Sequence, residues 1–269
     1  MANIPLVSLI TAGSAGLGAA TARLFASQGM KVVINYSQNG QRAADLVTEL
    51  EKLSPLTKKQ QAPSSSEPAG KQPGTANFAA IQADLTKRAD VERLVAEAAE
   101  AMGDRLDVVF SNGGWTQLRD ITDLDDNVDE DDWDRCYNMN VKSHLWLMHS
   151  AKKYLERTEG CFISTASLAG VKVSGSSLAY AVTKAAQIHL MKGLAMITSP
   201  KVRVNSVAPG LMLTDWGLQF PAEKQEVMRN MTQLKRLATP DDVAEQVLCF
   251  VKSKSVTGTN AIIDGGLHL

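Results

Sequence analysis

Tyr180 and Lys184 are the residues whose types and spacing most directly suggest chemistry. They stand four apart in LAYAVTKAAQIHL, a stretch of helical character, and positions i and i+4 share one helix face. A phenol and an ammonium can therefore open into one cleft. A free tyrosine, with a pKa near ~10, is a poor acid or base at neutral pH. A fixed cation beside it favours the phenolate and lowers that pKa, which is what general acid–base catalysis needs. Pairs of this kind also arise by chance on helix surfaces, so the pair alone decides nothing. Ser167 adds weight, because it ends the run CFISTAS, where a hydroxyl could hold and polarise a carbonyl oxygen. No histidine or acid stands at triad spacing from Ser167, which disfavours a hydrolase.

A second signal lies near the start, in LITAGSAGLGAATARLF. Gly13, Gly16 and Gly18 fall at a turn between an apolar strand and an alanine-rich helix. Missing side chains let backbone N–H groups approach a pyrophosphate, and a helix N-terminus favours its charge. The strand–turn–helix context is what separates a phosphate cradle from an ordinary tight turn.

The elements that must position these residues follow from periodicity. Short β-branched runs predict strands at Leu6–Thr11, Lys31–Asn35, Phe78–Ala83, Leu106–Ser111, Gly160–Thr165, Val202–Val207 and Ala261–Asp264. Several are continuously apolar, as in a parallel sheet covered on both faces. Helices are predicted at Gly16–Gln28, Gln41–Leu53, Ala89–Met102, Asp131–Glu156, Leu178–Ile197 and Pro240–Val251. The alternation indicates an α/β, doubly wound Rossmann-type fold, a seven-stranded mostly parallel sheet with helices on both faces. One domain over 1–269 is expected. Two segments break the rhythm. Ser54–Ala76, rich in Pro, Ser, Gly, Lys and Gln, reads as a flexible surface insertion. The acidic run Asp120–Asp134 lacks the EF-hand pattern and reads as a solvated loop charging a helix N-terminus.

Composition excludes several function classes. The 269 residues are 44% hydrophobic and 21% charged, with net charge −1, so no global field favours nucleic acid or an anionic membrane. No run approaches the ~20 apolar residues of a membrane span. The opening MANIPLVSLITAG lacks a basic flank and reads as a first strand rather than a signal peptide. Cys136, Cys161 and Cys249 have no metal or disulfide spacing and read as reduced, buried thiols. A cytoplasmic location and the absence of a metal site are the expectations.

At this point the chain resembles a short-chain dehydrogenase/reductase of the compact, single-domain branch. It is similar to 3-oxoacyl-carrier-protein reductases and to fungal-type carbonyl reductases. The resemblance runs from Leu6 to Gly266 apart from the 54–76 insertion. It rests on an ordered set: Thr11–Gly18, Asp84 in ADL, Ser111–Gly114, Asn140 in MNVKS, Ser167 with Tyr180 and Lys184, VRVNSVAPG at Val202–Gly210, and Ile262–Gly266. It implies hydride transfer, with Tyr180 giving a proton to the substrate oxygen. Lys184 would lower the Tyr180 pKa and bond the nicotinamide ribose, Ser167 would hold the carbonyl, and Asn140 would connect Lys184 to solvent through a water. Gly13, Ser14, Gly16, Leu17 and Gly18 would face the pyrophosphate. Asp84 and Leu85 would meet the adenine, with Asn112 and Gly113 beside the adenosine. Pro209, Gly210, Leu213 and Thr214 would lie along the nicotinamide. The family also implies homotetramers or homodimers joined through the helices at Asp131–Glu156 and Leu178–Ile197; His144, Trp146, Met148 and His149 fit such an interface. Three departures stand out: Ala12 replaces the first turn glycine, NNAG becomes Ser111–Gly114, and the short Ala195–Lys201 segment would trim the catalytic helix.

The second strand ends in VVINYSQNGQR, with no acid to bind a ribose 2′-hydroxyl and repel a 2′-phosphate. Asn35, Tyr36, Ser37, Gln38 and Asn39 are neutral there and Arg42 is close, so NADP(H) is expected over NAD(H). Against this, Ala15 stands in the turn where the family's other NADP signal, a basic residue, would be. Trp115, Leu168, Val173, Met212 and Trp216 are expected to line an apolar or aromatic carbonyl pocket, with Phe220 read as core and Leu211–Pro221 as a lid. A ketoreductase is the first reading. A 3-oxoacyl-thioester reductase is the alternative, with only Lys172 and Arg119 as docking cations. A non-catalytic cofactor sensor would have no need of the Tyr, Lys and Ser set.

Overall fold

The computed structural model describes residues 4–60 and 76–269. The apolar runs become seven parallel strands: β1 (Val7–Ile10), β2 (Lys31–Tyr36), β3 (Phe78–Gln82), β4 (Val108–Ser111), β5 (Cys161–Thr165), β6 (Arg203–Pro209) and β7 (Asn260–Ile263). Their order is β3-β2-β1-β4-β5-β6-β7. Parallel pairing requires crossovers, and nine helices among the described residues serve these and cover the sheet: α1 (Gly16–Ser27), α2 (Gly40–Leu53), α3 (Pro55–Gln60), α4 (Arg88–Ala101), α5 (Glu130–Tyr137), α6 (Ser143–Thr158), α7 (Leu178–Thr198), α8 (Ala222–Met231) and α9 (Pro240–Lys252). Alternate strand residues feed two cores. Leu9, Val33, Val109 and Phe162 pack under α4, α6 and α7. Ile10, Ile34, Phe110 and Ile163 pack under α1, α2 and α9. Strand order reverses between β1 and β4, which opens a crevice at their carboxyl ends, where doubly wound folds bind ligands.

The expected strands lie within two residues of the observed ones, but several helical expectations are corrected. The single helix over Asp131–Glu156 is two helices joined by a π-turn at Asn138–Lys142. One extra residue per turn leaves the apolar spacing on either side intact, so periodicity cannot reveal it. On α6, His144 and Met148 point into the core and are buried, so they form no outer interface, whereas Leu145 and His149 are exposed. Helix α7 is not trimmed. It runs to Thr198, whose hydroxyl donates to Leu194 O and Val202 O and closes the short return to β6. Pro55–Gln60 is helical, with Ser54 Oγ accepting from Leu56 N; residues 61–75 of the expected insertion lie outside the described residues. Helix α8 was not expected, although Pro221 and Glu223 at its start and AEKQEVM within it are favourable helix chemistry. Cys136 and Cys161 are buried, but Cys249 is exposed.

The acidic loop does charge a helix terminus. Asp129 caps α5, accepting from Asp132 N, with Glu130, Asp131 and Asp132 in the first turn. Buried Asn127 ties the loop to α7 by accepting from Leu178 N. Among the described residues no group of three or more His, Cys, Asp or Glu side chains could hold a metal ion, and no helix is long and apolar enough to cross a membrane.

Candidate active site

Helix α7 begins at a Ser177 cap, whose hydroxyl accepts from Tyr180 N and sets the first turn. Tyr180 and Lys184 therefore lie one turn apart, both buried, with Lys184 Nζ 5.6 Å from the Tyr180 ring centre. Ser167 leaves β5 and caps the short turn Leu168–Gly170 by accepting from Ala169 N. That turn presses on α7, and only a glycine fits: a Cβ on Gly170 would lie 2.6 Å from the Lys184 carbonyl carbon. The close approach brings the Ser167 hydroxyl to the phenol.

Burial pushes the Tyr180 phenol above its ordinary pKa, and the Ser167 hydroxyl draws it partly back. Burial likewise brings Lys184 down to about 7. Burial is the larger influence on Tyr180 and favours the neutral phenol, the form that can give a proton to a carbonyl oxygen.

The π-turn points Asn140 inward, fully buried. Its amide nitrogen donates to Trp115 O and Thr183 Oγ1, and its oxygen accepts from Trp115 N. Asn140 thus fastens the loop after β4 to α7. Its Oδ1 and Lys184 Nζ flank Gly114, at 3.6 and 3.5 Å from the position a Cβ would take there.

The glycine turn after β1 is as tight as its sequence suggests. A Cβ on Gly18 would lie 2.4 Å from Ala12 O. Ala12, in the position of the missing glycine, adopts φ 47°, a left-handed conformation costly for alanine. Asn35 holds it there: Oδ1 accepts from Ala12 N, its backbone carbonyl accepts from Gly13 N, and Nδ2 donates to Tyr36 O, Ile81 O and Ala83 O. The side-chain amide of Asn35 is therefore engaged by the turn and by neighbouring carbonyls, while the residue itself borders the groove. Helix α1 has no side-chain cap, because Ala15 offers no oxygen, so its first N–H groups are left for a ligand.

A groove runs over this turn, bordered by Ser37, Asp84 and Leu85 at one end. It shares Ala12 and Gly114 with a cavity of about 250 Å³ at the other end, lined by Ser167, Tyr180 and Lys184. The two form one cleft, long at its phosphate end and apolar at its catalytic end. A tight glycine-containing turn, uncapped helix amides and a continuous groove fit an extended dinucleotide.

Comparison with known proteins agrees. The family model described as enoyl-(acyl carrier protein) reductase matches residues 53–268. The chain is 32% identical, over 98% of its length and 96% of the relative's, to a protein of Streptomyces violaceoruber assigned as ketoacyl reductase 2 of the granaticin polyketide synthase. The chain belongs to the short-chain dehydrogenase/reductase family. A Burkholderia cenocepacia short-chain dehydrogenase solved with NADP superposes with a TM-score of 0.82 at 30% identity, covering 97% of each chain. A 7α-hydroxysteroid dehydrogenase with NADH and a 7-oxo bile acid gives 0.82 at 25% identity, covering 97% of this chain and 93% of the other. The protein is thus an oxidoreductase that moves hydride between a nicotinamide nucleotide and a carbonyl or secondary alcohol.

Of the residues singled out in this dehydrogenase/reductase, Gly16, Leu17, Asn112, Leu168, Pro209, Gly210, Met212, Thr214 and Trp216 border the catalytic cavity, and Trp216 sets its ring edge against Tyr180 at 5.4 Å. Gly113 is buried between Leu85 and Met139. Gly13 packs on Ile34. Asn39 caps α2 by accepting from Arg42 N, and Tyr36 packs over Gly40. Ser14 and Leu213 border neither half of the cleft. Trp115 lies on the groove side under Arg135 and not in the cavity, and Val173 is exposed. Phe220, expected in the core, lines the cavity with Met228 of α8. Met228 went unseen because α8 did.

Proposed function

We propose that this protein reduces a small apolar or aromatic ketone with NADPH, using Tyr180 as the proton donor. The observation that carries the reading is the convergence of Tyr180, Ser167 and Lys184 on one apolar cavity that opens onto the dinucleotide groove. The nucleotide supplies the hydride. Ser167 donates a hydrogen bond to the substrate oxygen, and Tyr180 transfers its proton to that oxygen. Lys184 holds its ammonium beneath the phenol and toward the ribose. Asn140, which flanks Gly114 opposite Lys184, offers the remaining lone pair of Oδ1 to a water that leads from Lys184 to solvent. Leu168, Met212, Trp216 and Phe220 exclude water and select apolar substrates. Asp84 and Leu85 border the adenine, Asn112 and Gly113 the adenosine, and Pro209, Gly210 and Thr214 the nicotinamide. Preference for the 2′-phosphate rests on the absence of an acid among Ser37–Asn39 after β2 and on Arg42, which would exchange its exposed ion pair with Asp215 for the phosphate.

A carbonyl panel followed by NADPH absorbance tests this, with Tyr180→Phe as control. The expected result is turnover lowered by about 10²–10⁴-fold in the variant with cofactor affinity retained; undiminished turnover would overturn it. A second reading, reduction of a 3-oxoacyl thioester on a carrier protein, is favoured by the granaticin relative. Arg119 is no docking cation for it, being engaged by Asp126, Asp129 and Asp132, which leaves exposed Lys172. Thioesters in the same panel separate the two. We further infer a cytoplasmic homotetramer or homodimer joined through exposed Leu145 of α6 and Val182 of α7, which a monomer mass in light scattering would contradict.

A further inference from the structure

Lys184 is a buried cation with no anion facing it. The titratable groups packed around it are Tyr180 on its own helix, Cys136 from α5 and His144 from α6. Burial keeps all three neutral near pH 7: it raises Tyr180, raises Cys136 to about 11 and lowers His144 to about 3. The end of β5 contributes the Thr165 carbonyl, which is uncharged. What meets the ammonium is a pair of carbonyl oxygens. Lys184 Nζ donates to Thr165 O at 2.8 Å and to Gln187 Oε1 at 2.9 Å. Gln187 Nε2 in turn donates to the same Thr165 O at 3.1 Å, so three groups close a ring. Gln187 has no exposed surface, and neither motif reading nor the proposed reaction uses it.

We infer that Gln187 is the positioning residue of Lys184: its carboxamide fixes Nζ against the end of β5 and supplies a dipole that favours the ammonium where no carboxylate does. Two of the three N–H donors of Nζ are engaged by Thr165 and Gln187, and the third is left for the cleft. A buried amide at this place has a clear alternative role, filling space between α7 and the sheet. That role needs only volume, whereas holding a charged amine needs an acceptor oxygen. A leucine preserves the first and removes the second. The inference rests on the proposed role of Lys184 in the reaction, so its test is made on the protein without turnover.

The experiment is a titration of the Lys184 side chain by NMR of ¹³C-lysine-labelled protein, with Lys184→Met identifying the resonance. Gln187→Leu is expected to lower the midpoint by about one pH unit and Gln187→Glu to raise it by at least as much, because a carboxylate favours the ammonium and an apolar group does not. The pH above which NADPH affinity weakens, read by fluorescence, should move in the same two directions. If Gln187→Leu does not fold, Gln187→Met keeps the length without the oxygen and carries the same expectation. Midpoints that stay together in folded variants would overturn the inference, whatever happens to stability. A wild type that reduces no carbonyl would overturn the proposed reaction and leave the titration to decide the role of Gln187.

Discussion

Lys184, Asn140 and Thr183 lie at the floor of the cleft, buried, with hydrogen bonds that tie α7 to β5 and to the loop after β4. Across the cleft, the flap that carries Met212, Trp216, Phe220 and Met228 leaves Leu213, Leu218, Val227 and Met231 exposed by 42 to 60%. Its hydrogen bonds are mostly internal, such as Gly217 N to Thr214 Oγ1 and Gln225 Nε2 to Phe220 O. Its reach to the far wall is the Arg42–Asp215 ion pair, exposed on both sides. A segment with few buried contacts opens at low free-energy cost, whereas the floor opens only with the core. Under the proposed reaction, proton transfer, which tolerates little displacement, would sit on the floor, and substrate choice and entry on the flap.

The contrast can be broken or sharpened by substitution. The largest effect belongs to the floor, where Tyr180→Phe should abolish most turnover without loosening the cofactor. On the far wall, Arg42→Ala should raise the KM for NADPH by about tenfold or more while leaving NADH little changed, because a charge-assisted bond to a 2′-phosphate is lost. Equal changes for the two cofactors would remove Arg42 from the 2′ site. On the flap, Phe220→Ala should raise the KM for an apolar ketone by roughly tenfold, the scale of one large apolar contact of about 1.5–3 kcal/mol. The melting temperature should shift little, since Phe220 is only half-buried. A large loss of stability there would make the flap part of the core and end the contrast. The smallest effect is expected at Ala12→Gly. Relief of a left-handed alanine, about 1–2 kcal/mol, is offset in part by the added chain entropy of glycine, so a modest rise in melting temperature should be measured.

Much of the floor was legible in the sequence. Tyr180, Lys184 and Ser167 are identifiable because their types and order are unusual together, and the strands because continuous apolar runs mark burial on both faces. The flap was less so: α8 is polar and partly exposed, and its one cavity-facing methionine does not stand out. Asn35, near the end of β2, has the same letter whether its amide faces a ribose or clamps the turn, so only the folded chain shows the second contact. His144 and Met148 were placed outward because the π-turn before α6 shifts the phase of the helix without altering its spacing.

The sequence by itself determined the sheet, the glycine turn and the residues proposed for proton transfer, since these depend on local periodicity, backbone freedom and side-chain chemistry. Tertiary structure alone decided which polar groups are spent on the protein. Asn35 on Ala12, Asn140 on Trp115, and Gln187 on Lys184 are contacts between distant strands and loops or across one buried turn. There, burial makes every unpaired donor or acceptor costly, and only the folded chain shows which partner meets that need.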